Sequence, residues 1–266
     1  MAQVKDIYQY IDSIAPFATQ LDFDNAGLLV GRADAAVATV LVALDITADV
    51  IREAVDMGAQ LIVAHHPVIF HPLKSITDGD TTGEKALLLA EHRIAAICAH
   101  TNLDAAQDGV NDLLAQRLGL NEIEQLHQDG VDGQGRAYGI GRVGVLDANT
   151  PMDVASFAAK VKADLNAVNV RYMDTGKPVC KVAVGGGSCG SMLADTLAAG
   201  CDTFVTADVK YDVFLEAKAL GINLLDAGHF ATENVVVVPL ADRVRKAFPQ
   251  LNVVVSKVHR EVFASI

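Results

Sequence analysis

The chain has 266 residues, 51% of them hydrophobic, and a formal net charge of −12 at pH 7. That length is long for one compact α/β domain and comfortable for two, with ample apolar residues for a core. The acidic balance argues against a nucleic-acid binder and against docking on anionic membranes, because both need basic surface and no run of lysine and arginine supplies it locally.

The opening segment lacks the basic head and unbroken apolar core of a signal peptide. Val4, Ile7, Ile11 and Ile14 instead share one helical face, and Pro16 ends the pattern. No apolar stretch approaches the roughly 18 residues a membrane-spanning helix requires. The four cysteines, Cys98, Cys180, Cys189 and Cys201, show no CxxC spacing. Three sit in or beside apolar runs, as reduced and mostly buried thiols do. A soluble, cytoplasmic protein is expected.

Further along, apolar runs alternate with helical patterns. "ATVLVALD" (38–45) reads as a buried strand. The helix at 47–58 follows, with Thr47 as N-cap, Asp49 in the first turn and Gly58 just past its end. A strand at 59–66, a helix at 83–92, a strand at 93–100 and a helix at 108–120 continue the rhythm. Such alternation predicts βαβ units and mostly parallel sheets flanked by helices, the pattern of two α/β domains. Glycine-rich sequence at 127–151 interrupts it and suggests a domain boundary. Alternation then resumes: a helix near 151–164, strands at 167–173 and 178–184, a helix at 190–200, a strand at 201–207, a helix at 209–221 and a strand at 222–228. A last helix within 231–248 leads to a strand at 251–258. The halves show no residue-level repeat.

In open parallel sheets ligands gather beyond the carboxyl ends of strands. Three strand ends carry chemistry there: "AHHP" with His65 and His66, "AHTNLDA" with His100, Asn102 and Asp104, and "DAGHFATE" with Asp226, His229 and Glu233. If a helix begins near Gly228, His229 and Glu233 are four apart on one face. Imidazoles and carboxylates together suit a divalent metal, with Zn, Fe, Mn or Ni all compatible. Neighbours in an extended strand point to opposite faces, and Pro67 biases His66 toward extended backbone. His65 and His66 are therefore expected to serve different ions. A carboxylate, Asp104 or Glu233, can bridge ions about 3.5–4 Å apart.

Any single strand-end histidine is better explained by hydrogen bonding; it is the set His65, His66, Asp104, His229 and Glu233 that points to metal. His100 suits either a ligand or a group that orients one. His71, His92, His127 and His259 read as ordinary structural histidines, and Asp226 as a strand-end acceptor. Gly185, Gly187 and Gly190 formally match G-x-G-x-x-G, with Asp208 near the distance of a ribose-binding acid. The signal is weak, because a glycine turn of this kind more often packs a helix on a strand. A looser role facing an anionic substrate is a further option. Cys189 has no histidine near it in sequence to activate it as a nucleophile.

The segments "FDNAGLLVG", "LIVAHHPVIF", "AHTNLDAAQDGVND", "VAVGGGSCGS", "FVTADVKYDVFLEA" and "AGHFATE" fall in one order along nearly the whole chain. In this the sequence resembles the dinuclear-metal-centre, Nif-three-like family, homologues of GTP cyclohydrolase I type 2, in a short form without a middle insertion. The resemblance implies the Nif-three-like fold, a ring-shaped homohexamer, and two divalent metal ions per chain. It implies that Glu233 bridges, with His65 and Asp104 completing one site and His66 and His229 the other. It also implies that the C-terminal piece returns to the N-terminal domain, so that residues 1–127 plus 228–266 form a metal-binding domain and 128–227 a second one. Relatives often carry tryptophan where Phe23 stands, and a Tyr-His pair in place of Tyr211-Asp212.

The function expected on these grounds is hydrolysis. A metal-bound hydroxide would attack a nucleotide or related small molecule, with His100 as proton shuttle. The alternatives are a non-catalytic, metal-holding scaffold or regulatory protein, and a dinucleotide binder at 185–190.

Overall fold

Short strands rich in valine, isoleucine, leucine and alanine form the larger sheets, a five-stranded and a six-stranded one, each belonging to its own unit. The computed structural model describes residues 1–146 and 152–266. The chain divides into Met1–Leu103 with Val236–Arg260, and Asp104–Val235 with Glu261–Ile266.

The first unit holds a five-stranded sheet in the order Asn252–Val255, Thr39–Ala43, Leu61–Ala64, Ala95–Cys98, Gly27–Val30. The first four strands are parallel and the last is antiparallel. Leu61–Ala64 is buried along its whole length because helices and loops cover both faces, which is why it reads as a continuous apolar run. The helix Ala48–Asp56 starts where Thr47 Oγ1 accepts the Val50 amide at 3.2 Å. It turns Val50, Ile51 and Ala54 onto a core shared with Leu41, Ile62 and Leu89. Asp80 caps the helix Thr81–Glu91 in the same way, accepting the Thr82 and Gly83 amides at 3.0 and 2.9 Å. Register then sets the site's position. Ala43 lies beside Ala64, and Ala64 beside Cys98, so three strands end in one row. Asp45, the His65–His66 pair and His100 follow directly.

The second unit holds a six-stranded sheet in the order Arg171–Met173, Asn223–Asp226, Thr203–Thr206, Lys181–Val184, Arg142–Val145, Asn121–Gln125. Its three central strands are parallel. Both flanks are antiparallel, so this sheet is mixed rather than mostly parallel as the alternation suggested. Phe157, Val161 and Leu114 cover one face; Phe204, Leu224 and Leu193 belong to the core of the other. Here too the parallel strands end in register, with Val184 beside Val205 and Thr206 beside Asp226.

The unit boundary differs from the glycine-rich stretch at 127–151. Asn121–Gln125 pairs with Arg142–Val145, so residues before and after those glycines belong to one sheet. The glycines serve a small hairpin, Gly130–Val131 against Ala137–Tyr138, inside the second unit. The return to the first unit begins at Val236, so the helix His229–Glu233 stays with the second. The last predicted helix is in fact split: His229–Glu233, a 3-10 turn at Asn234–Val236, then Val237–Ala247. The predicted helix near 151–164 is found as Val154–Asp164, with Asp153 as its cap; position 151 lies outside the described residues.

Candidate metal centre

In the first unit, the amides of His65 and His66 both donate to the Leu44 carbonyl, at 3.1 and 2.9 Å. Two successive amides on one carbonyl break the strict alternation of a strand, as at a β-bulge. The two rings consequently do not point to opposite faces. Their centroids are 5.0 Å apart, and the His100 ring lies 5.2 and 5.5 Å from them. Each of the three offers a ligand nitrogen within 4.8 Å of the others, so this group could hold a metal ion.

Each ring is held by its Nδ1. His65 is fully buried, and its Nδ1 donates to the Ala99 carbonyl at 2.8 Å. His66 Nδ1 donates to Asp45 Oδ1 at 2.8 Å. His100 Nδ1 donates to Asp24 Oδ1 at 2.7 Å. A carbonyl or carboxylate oxygen only accepts, so Nδ1 carries a proton, and in the neutral ring the lone pair is on Nε2. That is the tautomer a metal-ligating or proton-accepting imidazole needs. Burial works against the Asp24 carboxylate, but hydrogen bonds from His100 and Thr101 more than offset it and hold its pKa at about 2. Asp45 follows the same logic. Burial opposes its charge, yet bonds from His259 and His66 carry its pKa well below the usual carboxylate range.

In the second unit, His229 Nδ1 donates to Asp208 Oδ2 at 2.6 Å. Its Nε2 lies 3.0 Å from Glu233 Oε2, as the four-residue spacing on one helix face predicts. With Nδ1 protonated, a neutral ring would set an Nε2 lone pair against a carboxylate. Such a contact is favourable only when a proton or a metal ion is shared between them. The ligand oxygens of Asp104 and Glu233 also lie within 4.8 Å of each other. Asp104 sits near the end of the short helix Thr101–Ala105. Arg142 holds that end: it is buried, donates to the Ala106 carbonyl at 3.1 Å and forms a two-pronged pair with Asp112.

The glycine loop packs against these donors. A Cβ on Gly187, whose φ is +65°, would lie 2.1 Å from Glu233 Oε1 and 3.2 Å from His229 Nε2. The Gly186 amide donates to Asn111 Oδ1 at 2.8 Å and the Gly187 amide to Thr232 Oγ1 at 3.0 Å. Asn111 in turn donates to the Asp104 carbonyl at 3.0 Å. Amides that would cradle a pyrophosphate in a dinucleotide site are thus committed to side chains, and Asp208 is committed to His229. The glycines here give Glu233 room. Burial, then the charges of Asp104 and Glu233, push the Cys189 thiol far above its ordinary pKa, opposite to what a nucleophile needs. Gly228 has open space at its Cβ position, and its φ of +86° is the reason for glycine there rather than close approach to a ligand.

Residues 2–261 match the family Duf34/NIF3 (NGG1p interacting factor 3). The chain belongs to this family. The "GTP cyclohydrolase 1 type 2 homolog" of Clostridium perfringens is 34% identical over 266 residues, 99% of this chain and 100% of that one. A solved Bacillus cereus protein related to NIF3 superposes with a TM-score of 0.92 at 25% identity, covering 100% of this chain and 99% of the other. A Staphylococcus aureus protein, SA1388, superposes with a TM-score of 0.90 at 28% identity, over 100% and 99% of the two chains. The mixed α/β architecture of this NIF3-family chain is therefore that of its relatives. Among the described residues, no helix is long and apolar enough to cross a membrane.

The structure brings His65, His66 and His100 together in the first unit, and in the second it brings both His229 and Asp104 to Glu233. Sequence reasoning missed Asp24 and Asp45, which hold two of the imidazoles, and gave Asp208 another role. It also passed over His259, whose Nε2 lies 2.9 Å from Asp45 Oδ2, so that Asp45 joins His259 to His66. Asp45 and Asp208 each follow a buried strand by two residues, and that position was the available signal. Asp226 accepts the Val209 and Gly228 amides at 3.0 and 3.2 Å and pairs with Arg171, ordering the loops on which Asp208 and His229 stand.

Proposed function

We propose that the protein is a dinuclear metal-dependent hydrolase, GTP cyclohydrolase-like, acting on a nucleotide or related small molecule. His65, His66, Asp104, His229 and Glu233 would hold two divalent ions, with Glu233 bridging. The observation that carries the reading is the shared tautomer: every candidate imidazole has its Nδ1 tied to an oxygen, which leaves Nε2 as the basic nitrogen. Imidazole and carboxylate donors fit Zn, Fe, Mn or Ni. When bound, the ions supply Lewis acidity and lower the pKa of a coordinated water.

His100 is the proton carrier in this proposal. Its Nε2 accepts a proton while Asp24, ionised at neutral pH, steadies the positive ring and keeps its orientation. Asp45 and Asp208 orient His66 and His229. The name of the Clostridium perfringens relative supports a nucleotide ring as the target. A homohexamer is part of the same proposal, and native mass measurement tests it. The cysteines are free, with Cys98 and Cys201 buried, which supports a reducing, cytoplasmic setting.

Metal analysis of protein purified without chelator tests the premise. The expected result is two ions per chain, falling in His66→Ala and in Glu233→Gln. Fewer than one ion per chain, unchanged by either substitution, would sink it. Metal-loaded protein is then offered a panel of nucleotides and phosphoesters. Turnover lost in Glu233→Gln supports the hydrolase. Full metal loading with no turnover of any compound would favour the metal-holding scaffold instead.

A further inference from the structure

A row of aromatic rings runs outward from the three imidazoles of the first unit. Phe70 stands edge-on to His100, with centroids 6.0 Å apart and planes at 82°, and lies 4.8 Å from the His71 ring. Phe23 follows, 6.3 Å from Phe70 with planes at 60°. Phe23 is 64% exposed. Leaving a phenyl ring in water forfeits the stabilisation its burial would bring. Single exposed apolar residues are ordinary on protein surfaces, so the significance of Phe23 lies in what holds it and what it adjoins.

Both ring-bearing loops are anchored. Asp24, next to Phe23, accepts His100 Nδ1 at 2.7 Å and the Thr101 amide at 3.0 Å. Asn25 Nδ2 donates to the carbonyl of Ile69, next to Phe70, at 2.6 Å. Phe23, Phe70 and His100 are thereby tied into one framework by polar bonds, independent of any contact the rings make with each other. A rigid aromatic face beside a polar site is how planar rings are bound, because stacking tolerates many ring types and needs no hydrogen-bond match.

We propose that Phe23 and Phe70 form a stacking shelf for a planar heteroaromatic ring, and that this ring is part of the substrate. The proposal rests on the hydrolase reading and adds to it the two residues that select the ring of the substrate. Planes at 60° exclude a sandwich between the two phenyl groups. The ring stacks on the face of Phe23, with Phe70 as a side wall and His100 beyond it. A small ring is favoured over a protein partner because the row of aromatics continues without a break into the imidazole group. An occupant of the shelf therefore lies at the outer end of the row that leads through Phe70 to His100.

The test uses full-length zinc-loaded protein and calorimetric titration with guanosine 5′-monophosphate and with ribose 5-phosphate, which keeps the phosphate and lacks the ring. The nucleotide is expected to bind at least tenfold more tightly. Phe23→Ala should erase that difference and leave metal content and thermal midpoint unchanged, since the ring is exposed. Phe23→Trp should restore it, and Phe70→Ala should reduce it several-fold. Equal affinity for both compounds, no nucleotide binding, or undiminished nucleotide affinity in Phe23→Ala overturns the shelf. A change of assembly mass in Phe23→Ala without a change in nucleotide affinity also overturns it, and reassigns the rings to a protein contact. Metal content is measured on the same samples. Failure of the metal centre then shows as low loading, while failure of the shelf shows as lost ring discrimination at full loading.

Discussion

The two units present donors at the carboxyl ends of parallel strands, but they secure them by different means. In the first, the metal-ligand candidates are imidazoles, and each is aimed by one hydrogen bond that it donates to an oxygen on a neighbouring strand or loop. In the second, carboxylates dominate, and steric room decides. Gly187 is in van der Waals reach of Glu233 and His229, Asn111 and Thr232 consume the loop amides, and Arg142 holds the helix end beside Asp104. A bond-aimed donor loses orientation gradually when its partner changes. A sterically cradled one fails as soon as an atom is added. Substitutions in the second unit should therefore cost folding and metal together, and those in the first should cost metal affinity with little folding energy.

The largest effect is expected at Arg142. Replacing it by methionine leaves the partly buried Asp112 uncompensated and frees the carbonyls at the end of Asp104's helix. Breaking such a pair costs on the order of 3–5 kcal/mol, to be read from the urea unfolding midpoint. An unchanged midpoint would remove Arg142 from the second unit's framework. Next comes Gly187→Ala, which places a methyl 2.1 Å from Glu233 Oε1 at a positive φ. Backbone strain alone is worth about 1–3 kcal/mol, and metal content should drop with it. If metal loading survives intact, the steric half of the comparison is wrong.

In the first unit, Asp45→Asn removes the anionic acceptor shared by His66 and His259. Changing the group that orients a metal-bound histidine typically costs about 10–100-fold in metal affinity. Competition with a chelator should show that loss, with the thermal midpoint of metal-free protein little moved. A collapse of stability instead would erase the contrast between the units. The smallest effect concerns acid. The folded pKa of Asp24 is about 2, below the roughly 3.9 of an unfolded aspartate. Its stabilisation is present above that unfolded value and is lost as pH falls toward 2. Acid titration of metal-free Asp24→Asn should show a shallower loss than wild type between these values, and identical curves would discard the assignment.

Much of this was legible in the sequence. Apolar runs of four to five residues ending in histidine or aspartate mark strand ends, and His229 and Glu233 were placed together by helical spacing alone. The mixed second sheet was less so, because an apolar strand looks the same whichever way its neighbour runs, and antiparallel flanks need no special residue. The unit boundary was misplaced for a related reason. Glycines mark a turn, but whether the turn joins two units or two strands of one sheet depends on pairing. The orienting carboxylates were hidden among 33 aspartates and glutamates. Asp24 lies 76 residues from His100, and Asp45 lies 21 from His66.

By itself, then, the sequence determined the alternation of strands and helices and the kinds of donor that stand at their ends, since hydrophobic periodicity and residue chemistry are local properties. Tertiary structure alone decided which oxygen holds which imidazole, that His65 and His66 share one side despite being neighbours, and that the glycine loop exists to admit Glu233. Hydrogen bonds of 2.6–2.8 Å and a Cβ clearance of 2.1 Å are set by strand register and loop path. Those are relations between distant residues that no local pattern encodes.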